Sequence, residues 1–551
     1  MTLLKSSILA LALALGATHS ASAANDSVIA GPAVVVVQIQ SGKVQGFVHN
    51  GIYTYRGVPY AKAERFQPPR AVAQWNDTRL ALMYGSICPQ AAANPLANFM
   101  FSGPHLDQSE DCLNLNVWTP SISDGKKRPV MVWLHGGGFS GGSSIESYAY
   151  DGENLARTGD VVVVSVNHRL NVMGHLDLSA YGSQYANSAN VGVMDLVAAL
   201  QWVKANAAAF GGDANNVTLF GQSGGGAKVL TLMGTPAAKG LFHKAIEQSG
   251  ALEGMGMTLL APKTTRRVAE LTLKNLGITP EEVEKLKTLP YQDLADASQK
   301  ALKQTAEEQQ LPSVMGNGID LMWAPSTDGT YIPVEPVGEK YPELSRDIPL
   351  LIGSNLTEWT KIFALFGDIG KSQTDNKNNW SPAQVNTKMR AQYGDRADAV
   401  GKAFAAAYPQ RNPADALYAE SLLRIPALKT ARLKADQKGA PVYNYLFAWD
   451  TPILGGFAMS YHTAEIPFAM SSLALTETAH GNGDAAKALA DKMSRAWVAF
   501  ARTGNPNIKG LPNWRPYTRE SGATMIFKDQ PEVKSHHDVE LMKLLSPGAA
   551  F

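Results

Sequence analysis

A serine flanked by glycines stands at Gly221-Gln222-Ser223-Gly224-Gly225, the pattern G-x-S-x-G. In a chain with 49 glycines the five residues alone say little; their setting says more. An apolar β-like run, 217–220, precedes them, and an apolar helical run, 228–233, follows. In such a strand–turn–helix a serine sits on a sharp turn with its hydroxyl above a sheet, and the turn leaves no room for side chains on either side. A serine held that way is a nucleophile for acyl transfer, provided a base takes its proton. The stretch His135-Gly136-Gly137-Gly138-Phe139 also follows a strand-like run. Acyl transfer needs N–H donors aimed at the developing oxyanion, and glycines let the backbone come close to it. The amides of Gly137, Gly138 and Gly224 could supply three such donors. Gly136, Gly138 and Gly141 also fit G-x-G-x-x-G, a dinucleotide fingerprint. That fingerprint should open an apolar helix directly, whereas 143–152 is polar and aromatic. Neither this stretch nor any other calls for a cofactor or a metal.

The base must be a histidine. In this architecture the chain order is serine, acid, histidine, which leaves His462, His480, His536 and His537. The last two lie in a polar tail and His480 in a polar stretch, 477–484. His462 sits in a loop flanked by apolar residues, the half-buried seat a catalytic histidine needs. Many carboxylates compete for the acid. Glu358 follows the strand-like run 349–353 through a polar turn, and loops at the carboxyl ends of strands are where such sheets build their sites. It would hold the tautomer of His462 and stabilise the imidazolium.

These residues have to be positioned by a sheet. Strand-like runs occur at 34–40, 44–49, 52–56, 113–118, 130–135, 161–166, 217–220, 349–353 and 442–447. The continuous β-branched run at 161–166 has the character of a parallel strand buried on both faces. Helical spacing marks 193–210 and 486–502, the latter stopped by Gly504 and Pro506. The order is that of an α/β protein with a large, mostly parallel central sheet flanked by helices. Charged helical stretches near 260–345 and 370–440 read as cap excursions from a single domain spanning 24–551.

Composition agrees with a globular enzyme: 45% hydrophobic residues, 18% charged and a formal net charge of +1. No basic run draws the chain to nucleic acid or to an anionic membrane surface. Lys5, the apolar stretch 8–15 and Ala21-Ser22-Ala23 form a signal peptide ending near Ala23, too short to span a bilayer. This predicts a secreted or periplasmic protein without a membrane anchor. Export makes a bridge between the only two cysteines, Cys88 and Cys112, the expected state.

With these residues in place, the chain resembles the type B carboxylesterases, the carboxylesterase and cholinesterase family of α/β-hydrolases, over nearly the whole mature length. Tyr55-Arg56-Gly57-Val58-Pro59-Tyr60-Ala61 and Ser109-Glu110-Asp111-Cys112-Leu113-Asn114-Leu115-Asn116 are similar to its signatures, as are Asn167-His168-Arg169-Leu170 and Thr503-Gly504-Asn505-Pro506-Asn507. The resemblance implies the α/β-hydrolase fold, a triad of Ser223, Glu358 and His462, and an oxyanion hole of Gly137, Gly138 and Gly224. It also implies a Cys88–Cys112 disulfide and structural ion pairs Arg65–Glu110 and Arg169–Asp195. Two departures stand out. Gln222 replaces the usual glutamate before the nucleophile, and Gly224 replaces the usual alanine after it. An uncharged Gln222 argues against a choline-type cationic substrate.

The expected function is hydrolysis of a small-molecule carboxylic ester through an acyl-enzyme, the esters being neutral, small to medium, alkyl or aryl. The alternative is a non-catalytic, cholinesterase-like binding domain, but such domains have lost the nucleophile that Ser223 supplies here.

Overall fold

The computed structural model describes residues 28–549, apart from 32–34, 92–101, 106, 254–257, 312–320, 359–374 and 482. The expected signal peptide, Lys5 to Ala23, lies outside the described residues.

Eleven strands form one sheet in the order β14-β13-β12-β11-β10-β9-β7-β8-β6-β4-β3. Its parallel centre comprises β8 (Val162–Val166), β7 (Arg128–Leu134), β9 (Gly212–Gln222), β10 (Lys244–Gln248), β11 (Leu350–Asn355), β12 (Val442–Phe447) and β13 (Ala523–Phe527). Antiparallel strands finish both edges: β14 (Glu532–Ser535) on one side, and β6 (Asn114–Thr119), β4 (Ile52–Pro59) and β3 (Phe47–His49) on the other. A small second sheet joins β1 (Val36–Ile39), β2 (Gly42–Gln45) and β5 (Thr78–Leu80). The fold is that of an α/β-hydrolase. The predicted run 44–49 is split between the two sheets. The break falls at Gly46, where a Cβ would meet the Thr54 carbonyl at 2.2 Å.

Both faces of the centre are buried, which is why its strands read as continuous apolar runs. Along β7, Val130, Val132 and Leu134 join one core with Leu196 and Leu200 of the helix Val191–Asn206. Met131 and Trp133 point the other way, into a core with Trp497 and Phe500 of the helix Asp484–Thr503.

The strand β10 went unread because Lys244, Glu247 and Gln248 interrupt its apolar residues, yet all five positions are buried. Glu247 is accommodated by the Gly250 N–H. The stretches read as excursions hold the helices Pro262–Leu276 and Tyr291–Gln309, and then Pro382–Tyr393, Ala397–Ala407 and Arg424–Asp436.

Cys88 and Cys112 are bridged, with Cα atoms 5.0 Å apart and a sequence separation of 24. Closing a loop of that size should contribute about 3 kcal/mol. Peptide mapping of non-reduced, alkylated protein should therefore recover one cross-linked pair, and reduction should lower the unfolding free energy by about that amount; two alkylated thiols without reductant would refute the bridge.

Candidate active site

The strand β9 ends at Gln222, and the helix Gly224–Met233 starts one residue after Ser223. The turn between them puts Ser223 at φ 56° and ψ −127°, a sparsely populated conformation for a non-glycine residue. Tertiary bonds hold it there: the Ser223 N–H donates to the Gln248 carbonyl of β10 at 2.8 Å. A Cβ on Gly225 would come within 1.9 Å of the Leu134 carbonyl, so the glycine is required by the close approach of β7 to this helix. Sequence reading started the helix at 228, because three consecutive glycines are poor helix formers; packing overrides that preference.

The oxyanion loop leaves the end of β7. Gly137 and Gly138 both have positive φ, 78° and 60°. The loop reaches the nucleophile: a Cβ built on Gly224 would lie 2.3 Å from the Gly138 nitrogen. The dinucleotide alternative finds no support in this geometry, since short turns and a 3-10 turn follow the glycines, not a long helix.

Glu358 comes from the turn after β11 and His462 from the long connection between β12 and β13. They meet across a separation of 104 residues. His462 Nδ1 lies 2.7 Å from Glu358 Oε2, and the His462 N–H donates to the Glu358 carbonyl at 2.7 Å. The other carboxylate oxygen of Glu358 accepts the Asn355 N–H at 2.7 Å. With that oxygen engaged, a proton on Nδ1 best satisfies the pair and leaves Nε2 as the acceptor. Burial pulls His462 down from 6.5 to about 4, so the ring is neutral at ordinary pH. Burial pushes Glu358 upward, against hydrogen bonds from Ser249 and Asn355.

Residues that sequence reading passed over knit the two loops together. The Asn355 side-chain amide donates to the Tyr461 carbonyl at 2.8 Å and to Glu465 Oε2 at 2.7 Å. Gln248 donates to Glu465 Oε1 at 3.3 Å and accepts from Trp497 Nε1 at 3.0 Å. Asn355 and Glu465 carry one sequence signal, a spacing of three from Glu358 and from His462; Gln248 carries none.

Gln222 turns inward from the end of β9. It is fully buried, and its amide nitrogen lies 3.3 Å from His462 Nε2 and 3.4 Å from Nδ1. It braces the imidazole; it does not line the surface a substrate would touch.

The chain matches the carboxylesterase family over residues 33–543. The chain belongs to the carboxylesterase family. Para-nitrobenzyl esterase of Bacillus subtilis (strain 168) is 34% identical over 520 residues, covering 93% of this chain and 98% of the relative. Phenmedipham hydrolase of Pseudarthrobacter oxydans is 31% identical over 508 residues, covering 90% of this chain and 95% of the relative. Among solved structures, an esterase from anaerobic Clostridium hathewayi that can hydrolyse aliphatic aromatic polyesters is similar, with a TM-score of 0.83 and 36% identity over 94% of this chain and 99% of that one. The protein is a serine carboxylesterase, a hydrolase of carboxylic esters.

Both ion pairs implied by the carboxylesterase signatures are present. Arg65 Nε donates to Glu110 at 2.8 Å. Arg169 forms a two-pronged pair with Asp195 at 2.8 and 2.7 Å, while its remaining nitrogen caps the carbonyls of Glu64 and Gln67. The first joins two loops, and the second ties the segment after β8 to the helix Val191–Asn206. Among the described residues of the esterase, no helix is long and apolar enough to cross a membrane.

Proposed function

We propose that this carboxylesterase hydrolyses neutral, small to medium alkyl or aryl esters through an acyl-enzyme on Ser223. The observation that carries the reading is the buried His462–Glu358 pair at 2.7 Å, packed through Gln222 against the strained serine turn. His462 Nε2 takes the Ser223 proton as Oγ attacks the ester carbonyl, and returns it to the departing alcohol. Glu358 supports the imidazolium while it exists. The N–H groups of Gly137, Gly138 and Gly224 receive the oxyanion. Water then repeats the sequence on the acyl-enzyme and releases the acid. The substrate class is supported by relatives named for a para-nitrobenzyl ester and for polyester hydrolysis. We further propose export outside the reducing cytoplasm with residues 1–23 removed, a reading supported by the Cys88–Cys112 bridge.

A panel of esters tests this, run on the wild type and on Gln222→Glu. Acetylcholine should be a poorer substrate than its neutral isostere on both. Because Gln222 touches His462, a carboxylate there should act on the base and leave the selectivity ratio nearly unchanged. In the wild type, kcat/KM should hold below the ordinary imidazole value of 6.5 and fall toward about 4, as the base protonates and stops accepting a proton. Opposite charges about 4 Å apart interact by roughly 4 kcal/mol at an effective dielectric of about 20, so even after the cost of burying the new carboxylate the acid limb should rise by about one unit or more. An unmoved limb with a ratio shifted toward the choline ester would restore the electrostatic reading of Gln222. A wild type that prefers the cationic ester would sink the substrate assignment.

A further inference from the structure

Lys228 is fully buried, an uncommon place for a lysine, and it lies directly beneath the oxyanion loop. Its ammonium donates to the His135 carbonyl at 2.8 Å and to the Gly136 carbonyl at 3.2 Å. Phe139 lies beside it, with the ring centroid 5.9 Å from Nζ. Glu146, itself bonded by the Tyr150 hydroxyl at 3.0 Å, supplies the nearby carboxyl. Burial pulls the Lys228 amine down to about 7 and pushes Glu146 up to about 7.

In a trans peptide the carbonyl of one residue points opposite to the N–H of the next, so anchoring the one aims the other. The three amides assigned to the oxyanion each belong to a peptide whose carbonyl is held. The Ser223 carbonyl accepts from Ala227 at 3.1 Å, which orients the Gly224 N–H. The Gly137 carbonyl accepts from Ser140 and Gly141 at 3.2 and 3.1 Å, which orients the Gly138 N–H. For the Gly137 N–H, the carbonyl concerned is that of Gly136, held from inside the fold by Lys228 and by the neighbouring His135 ring at 3.0 Å. Lys228 and Gly224 stand four residues apart on one helix and so share a face. That face draws the loop so close that Gly138 occupies the space where a Gly224 Cβ would lie, a physical reason for glycine at 224.

We propose that Lys228 is a positioning residue for the oxyanion hole, gripping the His135 and Gly136 carbonyls so that the Gly137 N–H faces the reacting carbonyl oxygen. The inference rests on the assignment of Ser223 and of the Gly137, Gly138 and Gly224 amides made above.

Lys228→Met keeps the length of the stem and removes the donors. With a p-nitrophenyl ester, kcat should fall roughly 10- to 100-fold, less than the loss of an oxyanion donor outright, while KM stays within about threefold. The inhibition constant of a trifluoromethyl ketone, which places an oxyanion in the same site, should rise by the same factor as kcat/KM falls. A lysine that only fills the core would lower the melting temperature without this matched loss. Folded Lys228→Met with kcat within about twofold of wild type, or with unchanged ketone affinity, overturns the inference. Should the methionine variant fail to fold, Lys228→Gln, which keeps one shorter donor, carries the same comparison. If the wild-type enzyme formed no ketone adduct on Ser223, the nucleophile assignment would fail, a result distinct from equal affinities in wild type and variant.

Discussion

Ser223→Ala should lower ester hydrolysis by about four decades or more while leaving the fold intact. The size follows from removing the atom that forms the acyl-enzyme: His462, Glu358 and the loop amides then have no nucleophile to activate, and only binding and oxyanion stabilisation remain. The fold should survive because the serine turn is held by backbone bonds, from Ser223 N–H to Gln248 and from Ala227 N–H to the Ser223 carbonyl, which alanine keeps. Alanine has no greater difficulty than serine at the positive φ, and the side chain is only half-buried, so stability should change by less than about 1 kcal/mol. A fluorophosphonate should label the wild type at Ser223, its phosphorus bonding to Oγ with loss of fluoride, and should leave the alanine variant unlabelled. A label on another serine, or activity within about a hundredfold of wild type in the variant, would remove Ser223 from the mechanism.

His462→Ala should cost as much, since nucleophile and base act as a unit. The informative control is His480→Ala. His480 stands in the polar stretch 477–484. The structure buries it, with Nε2 2.9 Å from the Tyr461 hydroxyl and Nδ1 3.3 Å from the Thr476 carbonyl. Its partner Tyr461 immediately precedes the base in the chain. Its loss should cost stability, about 1 to 3 kcal/mol for the buried groups left unpaired. Activity at a temperature where the variant is folded should stay within about tenfold of wild type. Melting curves separate the two effects. If His480→Ala were the inactive, well-folded variant and His462→Ala the active one, the choice of base would be wrong.

The sequence by itself determined the parts of this protein that local geometry dictates. A serine on a sharp turn needs glycines beside it, a backbone that reaches a substrate needs glycines in a run, and strands buried on both faces need unbroken apolar residues. Those demands act over a few positions and leave a pattern there, so Ser223, the loop 135–139 and most of the central strands could be read directly. The place of Glu358 after the strand-like run 349–353 singled it out among the carboxylates, but only the tertiary structure decided that it meets His462, because the pairing joins loops 104 residues apart. It also decided that Lys244–Gln248 is a central strand, since the buried Lys244 and Gln248 side chains are met by Asn216 and Glu465, partners that no short window contains. The same holds for Gln222 and Lys228. A side chain's chemistry is written in its residue type, but its direction is set by what packs around it, and so Gln222 turns to the imidazole and Lys228 to the carbonyls beneath the oxyanion loop.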